Sequence, residues 1–107
     1  MMLRTSRFVH RLPLGPERVL VVHAVSQLRL VVDSAVDAVL DCFSTSRRWP
    51  DDEAALAGIL DDPATRRGCV RTLCERGLLT EMSADAELAD VQTKLGAKAC
   101  QVLFRRL

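Results

Sequence analysis

Residues 18–33, RVLVVHAVSQLRLVVD, hold two apolar runs of strand length with a short polar break between them. The runs are 18–23 and 27–32, and both are rich in valine and leucine. In the second run Leu28, Leu30 and Val32 alternate with Gln27, Arg29 and Val31. This pattern predicts a β-hairpin whose second strand covers a core on one face and carries a cation on the other. Because no comparable strand pattern follows, 27–32 is expected at a sheet edge, with a row of unpaired backbone groups.

The segment before the hairpin predicts one more strand. Residues 8–14 alternate in two sets, Phe8, His10, Leu12 and Leu14 against Val9, Arg11 and Pro13. Gly15 and Pro16 then mark a turn. Three strands joined by short turns form an antiparallel meander, with 18–23 in the centre and 8–12 and 27–32 at the edges. Residues 1–6 are expected to fray.

After Asp33 the apolar period changes from two to 3.6, which predicts helices. The first is expected at 34–45, with Ser34 as its capping residue and a buried stripe of Val36, Val39, Leu40 and Phe43. A second, short helix is expected after the acids of 51–53, because negative charge stabilises a helix N-terminus. Its buried stripe is Leu56, Ile59 and Leu60.

The third helix has clear end signals and a concentration of positive charge. Asp62 and Pro63 supply an N-cap and a first residue, and Gly77 ends the helix. Residues 66–76 carry four arginines and one glutamate. At about 100° per residue, one flank of the apolar stripe holds Arg67, Val70, Arg71 and Cys74, and the far side holds Thr72 and Arg76. The arginines are either a solvated face or the cationic rim of a groove.

These elements predict an α+β fold in which the meander precedes a three-helix, winged-helix-like bundle, with residues 78–79 as a wing strand. We expect 1–80 to form this domain and 81–107 to form a C-terminal helical extension. Ser83 caps the extension, and its stripe of Leu88, Val91 and Leu95 stops at Gly96 and resumes at Val102, Leu103 and Leu107. The extension either packs on the domain or docks a partner enzyme or a second copy of the chain.

Composition limits the function classes. The chain has 107 residues, a formal net charge of +1 and a pI near 7.7, so no overall charge attracts it to nucleic acid or an anionic membrane. Neither a membrane-spanning run nor a secretory signal is present, which predicts a cytoplasmic protein. Cys42, Cys69, Cys74 and Cys100 form no C-x-x-C pair, so neither a metal site nor a cofactor is predicted.

The order of strands and helices resembles the PqqD-like leader-peptide-binding domains known as RiPP recognition elements. The resembling segments are RFVHRLPL at 7–14, the hairpin at 18–33, AVDAVLDCF at 35–43 and LCERGLL at 73–79. The resemblance implies a non-catalytic protein that binds the leader of a ribosomally made precursor peptide and presents it to a modifying enzyme, such as a radical-SAM maturase. The chain has no C-x-x-x-C-x-x-C triplet, so it is not itself such an iron-sulfur enzyme.

By this resemblance the leader adds as a strand to Gln27, Leu28, Arg29, Leu30, Val31 and Val32. The third helix supplies the other wall through Arg67, Val70, Arg71 and Cys74, and the two arginines would suit an acidic leader. The residues leave open which face of 27–32 meets the leader side chains. A winged helix-turn-helix DNA-binding protein is the alternative, although the acids at 51–53 and 61–62 would repel a phosphate backbone. A small enzyme has no supporting constellation of residues.

Overall fold

The computed structural model describes residues 1–94. Its strands are β1 (Met2–Thr5), β2 (Val9–Pro13), β3 (Arg18–His23), β4 (Arg29–Asp33), β5 (Arg47–Arg48) and β6 (Leu79–Thr80). Its helical segments are α1 (Ser34–Cys42), a 3-10 helix (Glu53–Leu56), α2 (Pro63–Glu75) and α3, which covers 84–94. The strands form two three-stranded antiparallel sheets, ordered β2-β3-β4 and β5-β1-β6. The predicted α+β class is therefore confirmed.

The predicted meander is also confirmed, with β3 between β2 and β4. β4 begins at Arg29 and not at Gln27, because Gln27 has a left-handed backbone conformation with φ of 62° in the preceding turn. Within β4, Leu30 and Val32 are half-buried against the core, whereas Arg29 and Val31 are exposed. The alternation predicted for this strand is thus present, and its apolar side faces inward.

The second sheet corrects the expectation for the N-terminus and gives the partner of the short strand predicted at 78–79. Residues 1–6 do not fray: β1 pairs with β5 on one side and β6 on the other, and Leu3 is only 2% exposed. The segment expected to form a wing pairs with the N-terminus, because Leu79 and Thr80 face Thr5 and Arg4 of β1. Both pairings join segments far apart in sequence, which a local pattern does not reveal.

The helices follow their predicted order with changed ends. α1 is capped by Asp33, whose carboxylate accepts the Val36 amide at 2.9 Å, so Ser34 lies inside the helix, which stops at Cys42. The expected second helix is only the 3-10 turn Glu53–Leu56. The signals of α2 are confirmed: the Asp62 carboxylate accepts the Thr65 amide at 3.0 Å, and Pro63 is the first residue. Gly77 follows the helix with φ of 75°.

The core lies between the meander, α1, α2 and β1. Its largest fully buried side chains are Leu3, Val21, Val39, Leu40, Phe43, Leu56, Val70 and Leu78. The predicted cap of the C-terminal extension is present, since Ser83 accepts the Ala86 amide at 3.1 Å. The rest of the predicted stripe, from Leu95 to Leu107, lies outside the described residues, as does Cys100. None of the helices described in 1–94 is long and apolar enough to cross a membrane.

Candidate functional site

Strand β4 is paired with β3 on one side, and on its other side no strand is present among residues 1–94. In an antiparallel ladder, hydrogen-bonded and non-hydrogen-bonded residue pairs alternate. The His23 amide donates to the Leu28 carbonyl at 2.9 Å, and the β3–β4 register continues from that pair. Leu30 and Val32 therefore direct their backbone groups toward β3. The residues that direct theirs outward, which we call the β4 edge, are Arg29, Val31 and Asp33.

The outer side of β2 offers fewer donors. The Leu14 amide donates to the Arg18 carbonyl at 2.9 Å, so the same alternation directs Val9, Arg11 and Pro13 outward. Proline has no N–H, and the Val9 amide already donates to the Ser6 carbonyl at 3.1 Å. The Arg11 side chain is held against α1, where it contacts Asp37 at 3.2 Å and Asp41 at 3.3 Å. We call the outward side of Val9, Arg11 and Pro13 the β2 edge.

An apolar cleft lies between β4 and α2, with a volume of about 440 Å³. Leu30 and Val32 line it from the strand, and Val36 lines it from α1. The residues of α2 along it are Thr65, Gly68, Cys69, Thr72, Leu73 and Arg76. This volume lies within the range of small ligand pockets. The cleft therefore places an apolar surface directly beside the β4 edge.

The α2 wall of the cleft is neutral over most of its length. Burial, reinforced by the negative charge of Asp33, raises the pKa of the Cys69 thiol, which keeps it protonated at neutral pH. The Thr72 hydroxyl donates to the Gly68 carbonyl at 3.0 Å, and the Thr65 hydroxyl donates to Asp62 at 2.9 Å. Because both hydroxyls are bonded within the helix and its cap, the wall favours apolar groups.

A cation stands at one end of the cleft. Arg76 is exposed, and within 1–94 it forms no salt bridge. The chain beyond α2 leads to Leu78, whose carbonyl accepts the Ser6 amide at 2.9 Å, and the Ser6 hydroxyl contacts His23 at 3.1 Å. The end of α2 thus lies near the start of β4, whereas Cys69 is close to Asp33 at the strand's end. α2 therefore runs antiparallel to β4.

The structure brings together only part of the site predicted from the sequence. Leu30 and Val32 line the cleft, and Leu28 packs against the core just before β4. Arg29 and Val31 belong to the β4 edge, with Val31 59% exposed. Gln27 lies in the turn. The inner face of β4, whose role the sequence left open, is thus the face beside the cleft.

The four helix residues predicted for the opposite wall lie elsewhere. Arg67, Val70, Arg71 and Cys74 line a second depression of about 370 Å³, together with Met1, Trp49 and Pro50. Arg67 also contacts Glu53 at 3.6 Å. The expectation that they border the same groove as β4 is therefore corrected. α2 buries Val70 and Leu73, and of the two flanks of this stripe the one predicted from the sequence faces away from the sheet edge.

The cleft residues that sequence reasoning missed are Thr65, Gly68, Cys69, Thr72 and Arg76. Their spacing of three and four residues places them on one helix face. A glycine inside a helix with good end signals was the available clue, since glycine weakens a helix and its presence there calls for a reason. Small side chains along one flank of α2 indicate that another segment or a ligand approaches the helix closely there.

A buried polar cluster fixes the turns that lead into both outer strands. Ser6 hydrogen-bonds to Glu87 of α3, and Arg4 donates to the same carboxylate at 2.7 Å. Burial opposes ionisation of Glu87, but hydrogen bonds from Ser6, the Arg7 amide and Arg4 outweigh it and lower its pKa. The first residues of the C-terminal extension are thus attached to β1 and the β1–β2 turn.

His23 joins this cluster to the β3–β4 turn. Its Nδ1 accepts the amides of Val25 at 3.3 Å and Ser26 at 3.2 Å, so the ring proton belongs on Nε2, facing the Ser6 hydroxyl. Burial lowers the pKa of His23, and the Glu87 charge opposes that lowering. A second proton would replace the Nδ1 acceptor with a donor facing two N–H groups, so the neutral ring stabilises the turn.

Comparison with protein-family models, with curated proteins and with solved structures found no match for this chain. In the part of the chain that the structure describes, no group of three or more His, Cys, Asp or Glu side chains is arranged to hold a metal ion. The β4 edge and the adjacent cleft, which combine outward backbone groups with an apolar surface, are the candidate site.

Proposed function

We propose that this protein recognises the leader of a ribosomally synthesised precursor peptide and presents it to a modifying enzyme, without catalysing a reaction itself. The observation that carries the proposal is the β4 edge beside an apolar cleft. Peptides commonly bind by adding a strand to such an edge, where backbone bonds give affinity and neighbouring pockets select side chains. The resemblance to PqqD-like recognition elements, including their winged-helix-like arrangement, supports the same function.

In this proposal the leader lies antiparallel to β4. Its backbone bonds to the outward groups of Arg29 and Val31, and alternate side chains enter the cleft beside Leu30 and Val32. α2 forms the far wall and selects those side chains. The resemblance suggests a cytoplasmic setting and a partner maturase, with the radical-SAM class as the first candidate.

The DNA-binding alternative has less support. Of the α2 arginines, Arg66 donates to the Leu60 and Asp61 carbonyls at 2.6 and 2.8 Å, and Arg67 contacts Glu53. These contacts hold both guanidinium groups against the protein, which restricts their reach toward phosphates, and the affinity for duplex DNA depends on the number of phosphates neutralised. A recognition helix held in this way is poorly suited to the major groove.

A titration of the isotope-labelled protein separates the two functions. One arm adds leader peptides encoded by short reading frames next to this gene, and the other adds a random 20-base-pair duplex at physiological salt. The proposal predicts amide shifts from one of the peptides, concentrated in β4 and around Gly68 and Arg76, and none from the duplex. Shifts from DNA centred on the α2 arginines, with none from any peptide, would favour the alternative.

A further inference from the structure

Gly68 faces the cleft and leaves space there. Among the described residues, a Cβ built at Gly68 would meet no heavy atom within 4 Å. Its φ is not in the left-handed region, so the backbone at this position accepts any L residue. Alanine would stabilise the helix relative to glycine. A side chain at this position would fill part of the cleft. With glycine there, the cleft is large enough to admit a bulky group from a ligand.

Arg76 lies further along the same face of α2. From Gly68 to Arg76 the helix rises by about 12 Å, at about 1.5 Å per residue. An extended peptide covers the same distance in about four residues, at about 3.3 Å each. A peptide antiparallel to β4 runs in the direction of α2, because both oppose the strand. Residues four apart in such a peptide face the same side, so both enter the cleft.

We infer that Gly68 and Arg76 determine which peptides the cleft accepts. The favoured segment carries a bulky apolar side chain over Gly68 and, about four residues further toward its C-terminus, an acidic side chain at Arg76. This inference rests on the proposed function, since it assumes strand addition at the β4 edge. It adds the chemical class of the ligand and the two residues of this chain that select it.

Selection from a phage-displayed library of random twelve-residue peptides tests the inference. The full chain, Gly68→Leu and Arg76→Glu serve as targets, with Gly58→Leu as the matched control. A Cβ at Gly58 also meets nothing within 4 Å among the described residues, and Gly58 is not part of the cleft. Circular dichroism verifies that each variant is folded, and Gly68→Ala replaces Gly68→Leu if the larger side chain unfolds the helix.

The wild-type protein and Gly58→Leu are expected to enrich large apolar residues followed four positions later by Asp or Glu. Gly68→Leu should enrich Ala, Gly or Ser at the first position, and it should bind the peptides selected on wild type at least tenfold more weakly. Arg76→Glu should enrich Lys or Arg in place of the acid. The inference would be overturned if wild type and Gly68→Leu enriched the same peptides, or if the acid stood an odd number of positions after the apolar residue. If the enriched peptides bind Val31→Pro as tightly as wild type, or none is enriched, the proposed function fails instead.

Discussion

The two outer strands of the meander, β2 and β4, each lie beside a helix and a cleft of nearly the same size. The cleft between β2 and α1 measures about 430 Å³, and that between β4 and α2 about 440 Å³. The first is lined by Arg11, which pairs with both Asp37 and Asp41, and by the apolar residues Pro13, Val19 and Ala38. The second is lined largely by aliphatic, small and neutral side chains, with one cation at its end. The two clefts have similar volumes but differ in charge: an ion-pair network lines the first, and a single arginine lines the second.

The outward backbone groups of the β2 edge and the β4 edge also differ. In the β2 edge, Pro13 has no N–H, and the Val9 amide donates to the Ser6 carbonyl. Proteins protect edge strands from association by such means. In the β4 edge all the outward residues keep their N–H groups. An exposed edge beside an apolar cleft is an aggregation hazard unless a ligand uses it. The comparison therefore favours β4 as the binding strand.

The largest expected effect is on peptide binding by Val31→Pro. Proline removes an outward N–H without breaking the ladder to β3, and edge strands tolerate it. We expect affinity for a leader peptide to fall by about a hundredfold, or about 2.7 kcal/mol. Calorimetry measures the loss, and Val31→Ala, which keeps the N–H, should stay within a few-fold of wild type. Leu30→Pro is a poorer test because its amide is directed at β3. Tight binding by folded Val31→Pro would exclude strand addition here.

The two flanks of α2 give the next test. Arg76→Glu reverses the charge at the end of the cleft and should weaken an acidic leader by about tenfold, or about 1.4 kcal/mol. Arg71→Glu makes the same change on the flank beside Trp49 and should alter affinity less than twofold. Fluorescence anisotropy at two salt concentrations compares them. A larger loss from Arg71→Glu would return the binding surface to the flank first predicted from the sequence.

The buried cluster of Ser6, His23 and Glu87 holds the turns that lead into β2 and β4, so its loss should destabilise both edges together. The pKa values of His23 and Glu87 are lower in the folded state. The stability that each contributes is therefore complete above its unfolded-state pKa, about 6.5 for His and about 4.3 for Glu, and is lost as the pH falls toward the folded value.

Urea unfolding should therefore show stability decreasing from pH 7.5 to pH 5.5 and again below pH 4.5. His23→Gln should be less stable at pH 7.5 and should lose the first of these steps. Stability that stays flat or rises between pH 7.5 and 5.5 would contradict the role assigned to the neutral His23 ring.

The smallest effect is expected at the β2 edge. Arg11→Ala removes ion pairs whose side chains are partly exposed, so the free energy of unfolding should fall by only about 0.5 kcal/mol. Leader affinity should not change. Chemical denaturation and calorimetry on the same preparation measure both, and a tenfold loss of affinity would place the leader at the β2 edge instead.

Local signals predicted the elements around the site well. The alternation in β4 depends on neighbours two residues apart, and the Asp62 and Gly77 signals of α2 depend on the first and last turns of one helix. Such features are properties of a few consecutive residues, so the sequence contains them directly. The existence of the β4 edge and of a helix wall beside it follows from them.

Other features depend on distant contacts and were not predictable. β1 is four residues long, and its partners are Arg47–Arg48 and Leu79–Thr80, so nothing within MLRT indicates that Leu3 is buried. The rotation of α2 about its own axis was likewise not predictable, because both of its flanks border the same stripe of Val70 and Leu73. Contacts with distant segments distinguish the two flanks: Arg67 and Arg71 lie beside Trp49, whereas Gly68 and Arg76 lie beside β4.

Amide hydrogen exchange of the free and peptide-bound protein tests strand addition at β4 most directly, because it reports single N–H groups. We expect exchange at Arg29 and Val31 to slow by at least tenfold when a leader peptide binds, while exchange at Arg11 on the β2 edge stays the same. Leu30, already bonded to β3, should change little. A saturated complex in which Arg29 and Val31 exchange as fast as in the free protein, or in which Arg11 becomes protected instead, would contradict the account.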